Sequence, residues 1–329
     1  MANAARGGFA PTVLVALLAT SGAAAAEEED GVHLSGFLIL GAGFDTGRSG
    51  VGVLRDAEIH VNIRRTLAPG YALSGRIELE GWTSSSPDQI DEAYAILESP
   101  IGDFKIGGDD SAKSRYLKGV LYSRSGYHGY FDNGTFVDID AKGGTTGGGD
   151  PVGIYYDSPD LNGLRFGFSY HPDRTSDNLP DASEGRTGDS NNVVFERESQ
   201  YAAGFAYDGR VGDLEFGIAV AGLTRQGEKD VWQIGGDLTW GDFTLAAIYE
   251  EDGPSDAAIG ARYRTGPWTL TAGYGFTGVE EGDGENHLTA AWVSYTLAPG
   301  VTASIGVEHH IDETDTKELG GSATLSLYF

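Results

Sequence analysis

The sequence predicts an all-β protein, a sixteen-stranded antiparallel β-barrel that spans a membrane. Three observations point there. Apolar residues recur at every second position through a series of short runs, the period of a strand whose successive side chains leave on opposite faces. The links between the runs alternate between tight turns and longer polar loops. Glycine supplies 51 of the 329 residues, about twice its usual share, and no run approaches the ~20 apolar residues of a membrane helix.

Composition removes other classes. A net charge of −27 argues against nucleic-acid binding, which needs a basic face. With no Cys there is no disulfide framework, zinc ribbon, iron–sulfur cluster or thiol nucleophile. The 40% apolar and 22% charged content excludes a disordered acidic tail, and no Gly-X-Y period marks collagen.

Residues 1–26 read as a cleaved secretory signal. Arg6 precedes the apolar run Thr12 to Ala19, then come SGAAAA (Ser21 to Ala26) and the acidic block Glu27 to Asp30. That is the charged, apolar, small-residue order of an export signal, and its apolar run is too short to cross about 30 Å of hydrocarbon. Residues 27–329 are expected to form a single barrel.

Each run shows the alternation. The first places Leu34, Gly36, Leu38, Leu40, Ala42 and Phe44 on one face. The second sets Ile59, Val61 and Ile63 against Glu58, His60, Asn62 and Arg64; the third sets Tyr71, Leu73, Gly75, Ile77 and Leu79 against Ser74, Arg76, Glu78 and Glu80. Ala93, Ala95 and Leu97 oppose Glu92, Tyr94 and Glu98, and Phe104 and Ile106 oppose Lys105. A weaker run spans Val152 to Asp157, before Leu164, Phe166, Phe168 and Tyr170 against Arg165, Ser169 and His171. Nine more runs begin near Tyr201, Leu214, Trp232, Phe243, Ile259, Trp268, Ala291, Val301 and Gly321, the twelfth with Arg262 and Arg264 on its polar face.

Seven short links carry turn chemistry: 67–71, 99–103, 158–163, 208–213, 240–242, 265–267 and 297–300, with Pro fixing φ and Gly supplying positive φ. Eight longer polar links alternate with them, giving an up-and-down meander with both termini at one end. The only helical stretch expected is a short piece within Ser111 to Ser123.

Two features favour a closed sheet in lipid over a soluble sandwich. Phe44, Tyr71, Tyr170, Tyr207, Trp240, Phe243, Tyr263, Trp268 and Tyr295 sit near strand ends, as aromatic girdles do at a lipid–water boundary. An open sheet of sixteen strands leaves hazardous edges, and lipid offers no water to satisfy them, so a spanning sheet must close. A barrel of this strand number holds a water-filled interior.

The segments GVHLSGFLILGAGFD, GYALSGRIELEG, DEAYAILESPIGDFKIGGDD, YYDSPDLNGLRFGFSY and SATLSLYF, the last ending in Phe329, resemble the Gram-negative general diffusion porins, most closely the alpha-proteobacterial branch. The resemblance covers residues 27–329. It implies a homotrimer in the bacterial outer membrane, reached through the periplasm, in contact with lipid and lipopolysaccharide. It further implies passive diffusion of small hydrophilic solutes and ions, and a third external loop folded into each pore.

That loop corresponds to Ser111 to Pro151, the longest link, and carries Asp132, Asp138 and Asp140 before a Gly-rich tail. Long links of this kind are functional or disordered; as a constriction loop, this one would present carboxylates to the pore. Such porins set basic residues opposite, and the inward parity offers Arg64, Arg76, Lys105 and Arg165, with wall carboxylates at Glu58, Glu78 and Glu80. Each basic residue could instead simply pair with one of those glutamates. Where the family often carries Arg on the second strand, this chain has Asp56 and Glu58, so a thin basic wall and weak cation selectivity are expected.

A sugar-specific channel would need an aromatic track, for which Tyr94, Trp82 and Trp292 lie on the inward parity. A barrel enzyme or an adhesin is a further alternative, but no catalytic constellation is legible and no cofactor is expected. Acidic loop clusters at Asp181 to Asp189, Glu280 to Glu285 and Asp312 to Glu318 offer hard oxygen ligands for Ca²⁺ or Mg²⁺ and a bridge to lipopolysaccharide. Solubility is the plainer reading of them.

Overall fold

A computed structural model describes residues 30–47, 50–81, 90–119, 121, 151–173, 198–227, 229–251, 255–278, 286–311 and 315–329. The expected signal, residues 1–26, and loop residues Asp132, Asp138 and Asp140 lie outside the described residues.

Sixteen strands form: β1 (Gly31–Asp45), β2 (Gly52–Ala68), β3 (Tyr71–Glu80), β4 (Ile90–Glu98), β5 (Asp103–Gly108), β6 (Val152–Asp157), β7 (Leu164–His171) and β8 (Gln200–Val211) make one half. β9 (Leu214–Arg225), β10 (Val231–Trp240), β11 (Phe243–Glu251), β12 (Ser255–Thr265), β13 (Trp268–Thr277), β14 (Asn286–Ala298), β15 (Val301–Ile311) and β16 (Lys317–Tyr328) make the other. Each pairs antiparallel with its chain neighbours, and β16 returns to β1, closing the barrel. The seam runs from Phe37 opposite Tyr328 to Asp45 opposite Gly320. Phe329 extends it, exchanging backbone hydrogen bonds with Gly36 at 3.1 and 3.2 Å.

The expected parity holds, and it faces outward. Leu34, Leu40, Ile59, Leu73, Phe205, Leu245, Ile305 and Leu325 are exposed on the outer surface. The alternate positions, among them His60, Glu78, Ser169, Gln233, Glu250 and Ser326, are buried inside. A polar interior with an apolar exterior is the arrangement lipid demands. Aromatic pairs mark both rims: Trp268 with Tyr295 (ring centroids 4.7 Å) and Phe104 with Tyr156 (5.1 Å) at the turn end, Tyr170 with Tyr201 (4.8 Å) and Trp232 with Tyr249 (5.4 Å) at the loop end.

The short links are tight hairpins. Trp240 pairs with Phe243 and Thr265 with Trp268, leaving two central residues of which the first is Gly241 (φ 57°) or Gly266 (φ 54°). A primed hairpin turn needs positive φ there, which glycine adopts without steric cost. The helix expected within Ser111 to Ser123 is a single turn, α1 (Ala112–Arg115).

Ile305 projects outward from the middle of β15 at 62% exposure. Ile305→Arg is expected to destabilise the barrel by about 2–4 kcal/mol at the bilayer midplane, read as a lowered urea midpoint in lipid vesicles.

Candidate functional site

The inner wall divides into two unlike parts. On β2–β4 it is a ladder of carboxylates. The register sets Glu58 directly opposite Glu80, and His60 opposite Glu78. A bulge interrupts the next pairing, because Ile77 faces Ala93 while Leu79 faces Ile90. Glu78 therefore stands alone against two residues, Asp91 and Glu92, and the extra residue re-aims side chains that strict alternation would send outward. The carboxylates of Glu58, Glu80 and Asp91 converge within 4.8 Å of one another. Like charges directly opposite across a strand pair repel, and the β2–β3 register sets Glu58 and Glu80 against one another all the same.

One guanidinium organises the lower part of this ladder. Arg76 Nε lies 2.6 Å from Glu78 Oε1, and a terminal nitrogen of Arg76 donates to His60 Nδ1. Arginine has no acceptor, so Nδ1 must accept, and the ring proton sits on Nε2, which donates to Glu58 Oε2 at 2.8 Å. Glu58, His60 and Glu78 also lie within 4.8 Å of one another, as metal ligands would. That set does not fit a metal: the nitrogen lone pair it needs carries a proton, and Arg76 already supplies the positive charge. The all-oxygen set of Glu58, Glu80 and Asp91 is the one whose donor chemistry suits a hard cation.

The four basic residues expected on the wall do face inward, and each is in an ion pair. Arg64 meets Glu98 at 2.7 Å, Arg76 meets Glu78, Lys105 meets Asp109, and Arg165 meets Asp208 at 2.7 Å. Pairing with Glu58, Glu78 or Glu80 thus holds for Arg76, which meets Glu78 and, through His60, connects to Glu58. The other three use carboxylates that alternation alone does not single out as partners.

The root of the third long link is clamped at both ends. The Tyr155 hydroxyl, buried on β6, lies 2.7 Å from the Asp109 carbonyl and 2.9 Å from the Pro151 carbonyl, so its one proton joins the start of the link to its end. Arg115 lies 4.8 Å over the Tyr155 ring and reaches Asp109 (3.5 Å) and Asp157 (3.2 Å). Burial by itself would lower the Arg115 pKa, but Asp157 and Asp109 hold it above the ordinary value. Burial and then Asp157, which accepts the Tyr116 hydroxyl at 3.1 Å, push that phenol up.

From this root, residues 111–119 lie along the inner face of β7–β11. Ser169 Oγ accepts from Ala112 N (3.0 Å), Gln233 Nε2 donates to the Lys113 carbonyl (2.8 Å), Lys113 Nζ meets Glu250 (2.8 Å), and Lys118 meets Asp208. The Tyr116 ring fills the space that side chains on Gly167 and Gly204 would take. Leu117 packs on a cluster of Ile248, Ala290 and Trp292.

Of the residues proposed for an aromatic track, Trp292 is buried against Gly306 within the cluster that Leu117 packs on, and Tyr94 lies under Lys105, whose Nζ is 4.1 Å from its ring centre; Trp82 lies outside the described residues. So do the acidic clusters Asp181 to Asp189 and Glu280 to Glu285, while of Asp312 to Glu318 only residues 315–318 are described. Sequence reasoning missed His60, Asp91, Lys113, Asp208 and Glu250 as site residues. A signal existed for the seat of the link: the inward positions Ala202, Gly204, Ala206, Gly217, Ala219, Ala221 and Gly235 are small instead of polar.

Tyr155→Phe is expected to leave the fold intact but cost about 1–3 kcal/mol, because two carbonyls at the root of the link lose their shared donor. Urea midpoints of the purified barrel in lipid check it.

The fold is shared with solved outer-membrane structures. An anion-selective porin from Comamonas acidovorans superposes with a TM-score of 0.70 at 16% identity, over 92% of this chain and 100% of that one. OmpT of Vibrio cholerae, in its trimer form, gives 0.63 at 15% identity, over 91% and 99%. A mutant of the Rh. blastica porin gives 0.60 at 14% identity, over 91% and 100%. A search of curated protein sequences finds no match. The family model described as Gram-negative porin matches residues 12–316. A closed sixteen-stranded sheet, apolar outside and charged within, and a family match over most of its length together establish that this chain belongs to the Gram-negative porins and is an integral β-barrel of the bacterial outer membrane.

Proposed function

We propose that the chain is a passive diffusion channel for small hydrophilic solutes with a weak preference for cations, that it acts as a homotrimer, and that it performs no enzymatic reaction. The observation that carries the selectivity is the asymmetry of charge on the inner wall. Glu58, Glu80 and Asp91 converge on β2–β4, while Arg64, Arg76, Lys105 and Arg165 are each held by a carboxylate. Carboxylates lining a passage with low-dielectric walls focus the field, raise the local cation concentration and repel anions. The net charge of −27 points the same way. The Comamonas porin of the same fold is anion-selective, so the cation preference proposed here rests on the wall residues of this chain and not on the fold.

The trimer expectation agrees with the trimer form of the Vibrio cholerae relative. Removal of residues 1–26 on export, contact with lipopolysaccharide, and lumenal roles for Asp132, Asp138 and Asp140 belong to the same reading. Among the described residues, the buried Trp292 and the Lys105 ammonium over Tyr94 favour the general channel over the sugar-specific alternative.

Reversal potential across a planar bilayer under a KCl gradient is the test. The wild-type protein is expected to favour K⁺. Combined Glu58→Gln, Glu80→Gln and Asp91→Asn replacement is expected to lower the cation-to-anion permeability ratio roughly twofold or more. A wild-type preference for chloride would overturn the assignment.

A further inference from the structure

We propose that the ion pair between Lys113 and Glu250 is the latch that seats residues 111–119 on the inner wall of β7–β11, and so confines the water path to the side lined by the carboxylates of β2–β4. The second clause rests on the channel reading above; the latch itself does not. Both side chains are 0% exposed, with Nζ 2.8 Å from Oε2. A lysine on a single helical turn, four residues long, would ordinarily keep its ammonium in water, and burying it is tolerable only beside a carboxylate. Removing one partner of such a pair leaves an uncompensated buried charge, a strongly unfavourable state.

The segment has other polar contacts, but in its pairs of Lys118 with Asp208 and Arg115 with Asp157 the carboxylate is partly exposed, and Ala112 N–H donates to Ser169 Oγ without charge. Tyr116 fits the hollows at Gly167 and Gly204; the Lys118 carbonyl lies against Gly235, and Gly119 against the Ala247 carbonyl, where a Cβ on either glycine would collide. Leu117 packs on Ile248, Ala290 and Trp292. These last contacts are matters of shape, which by itself would let a segment slide along a smooth wall. Among the segment's described ion pairs, Lys113–Glu250 alone has both partners fully buried, and, reinforced by Gln233 Nε2 on the Lys113 carbonyl, it fixes the register. Seated this way, the segment covers Ala202, Ala206, Ala219, Ala221 and Leu223, inward residues that have no hydrogen-bonding group to offer water.

The chain has no Cys, so Ala112→Cys, at a position 0% exposed, creates a unique reporter thiol. The full-length barrel in lipid is treated with a charged methanethiosulfonate, with Lys229→Cys as the exposed reference. Ala112→Cys is expected to react slowly. Adding Glu250→Gln should speed labelling by about tenfold or more, as the segment leaves its seat. Adding Lys113→Glu with Glu250→Lys instead should restore protection, which a general loosening of the barrel would not do. Glu250→Asp, which keeps the charge but shortens the reach, is expected to lie between and decides the matter if Glu250→Gln does not assemble. Labelling of Ala112→Cys at the reference rate, or a rate that neither Glu250 replacement changes, overturns the latch. Reversal potentials on the same variants address the second clause: unlatching is expected to reduce cation preference. Absence of any conductance in the wild type would reject the channel reading while leaving the labelling result to decide the latch.

Discussion

Every backbone N–H and C=O of a sheet in hydrocarbon must find a partner within the protein, because lipid supplies none. That constraint closes β16 onto β1 and governs where every strand residue can face. Once the sheet is closed, side chains can only point to lipid or to the lumen, so the apolar half of each alternating strand is committed outward and the polar half inward. The terminal exchange between Phe329 and Gly36 is the last pair of hydrogen bonds in that ring, not an ornament on it. The aromatic pairs at both rims arise from the same geometry, since strand ends are where lipid gives way to water.

The lumen then carries a second tension. Burying carboxylates and cations on one wall is unfavourable unless they meet, and the two parts of the wall resolve this differently. On β7–β11 small residues leave room for chain, and residues 111–119 enter with their charges matched by Glu250 and Asp208. On β2–β4 the register forces Glu58 against Glu80, and the bulge brings Asp91 to the same place. Arg76 and His60 link Glu78 to Glu58 within that ladder. The two parts of the wall thus differ in charge while belonging to one fold.

Alternation in the sequence is enough to place sixteen strands, to give the weak run at Val152–Asp157 its full extent, and to assign Arg64, Arg76, Lys105 and Arg165 to the inside. The reason is that a period of two survives any register. It fails where the period itself breaks. Asp91 sits in a bulge, and a bulge is a mismatch between two strands, invisible in either one. Alternation marks His60 as an inward polar residue but not as the hinge of a chain from Glu78 to Glu58, because that role depends on which residue of β3 lies opposite. Ala202, Gly204 and Ala206 resemble ordinary small residues on a strand; only the link lying over them explains why polar groups are missing there.

What the sequence determined by itself was local and periodic: an exported, acidic, glycine-rich chain of short amphipathic strands, joined by tight turns and long loops, whose greasy face had to meet lipid. What the tertiary structure decided was pairing. Lys113 and Glu250, or Lys118 and Asp208, come from a link and from distant strands, and nothing in their sequence neighbourhoods announces that they meet. Closure of the sheet fixes which strands lie across the lumen from one another, and only then do buried charges find the partners that make their burial tolerable.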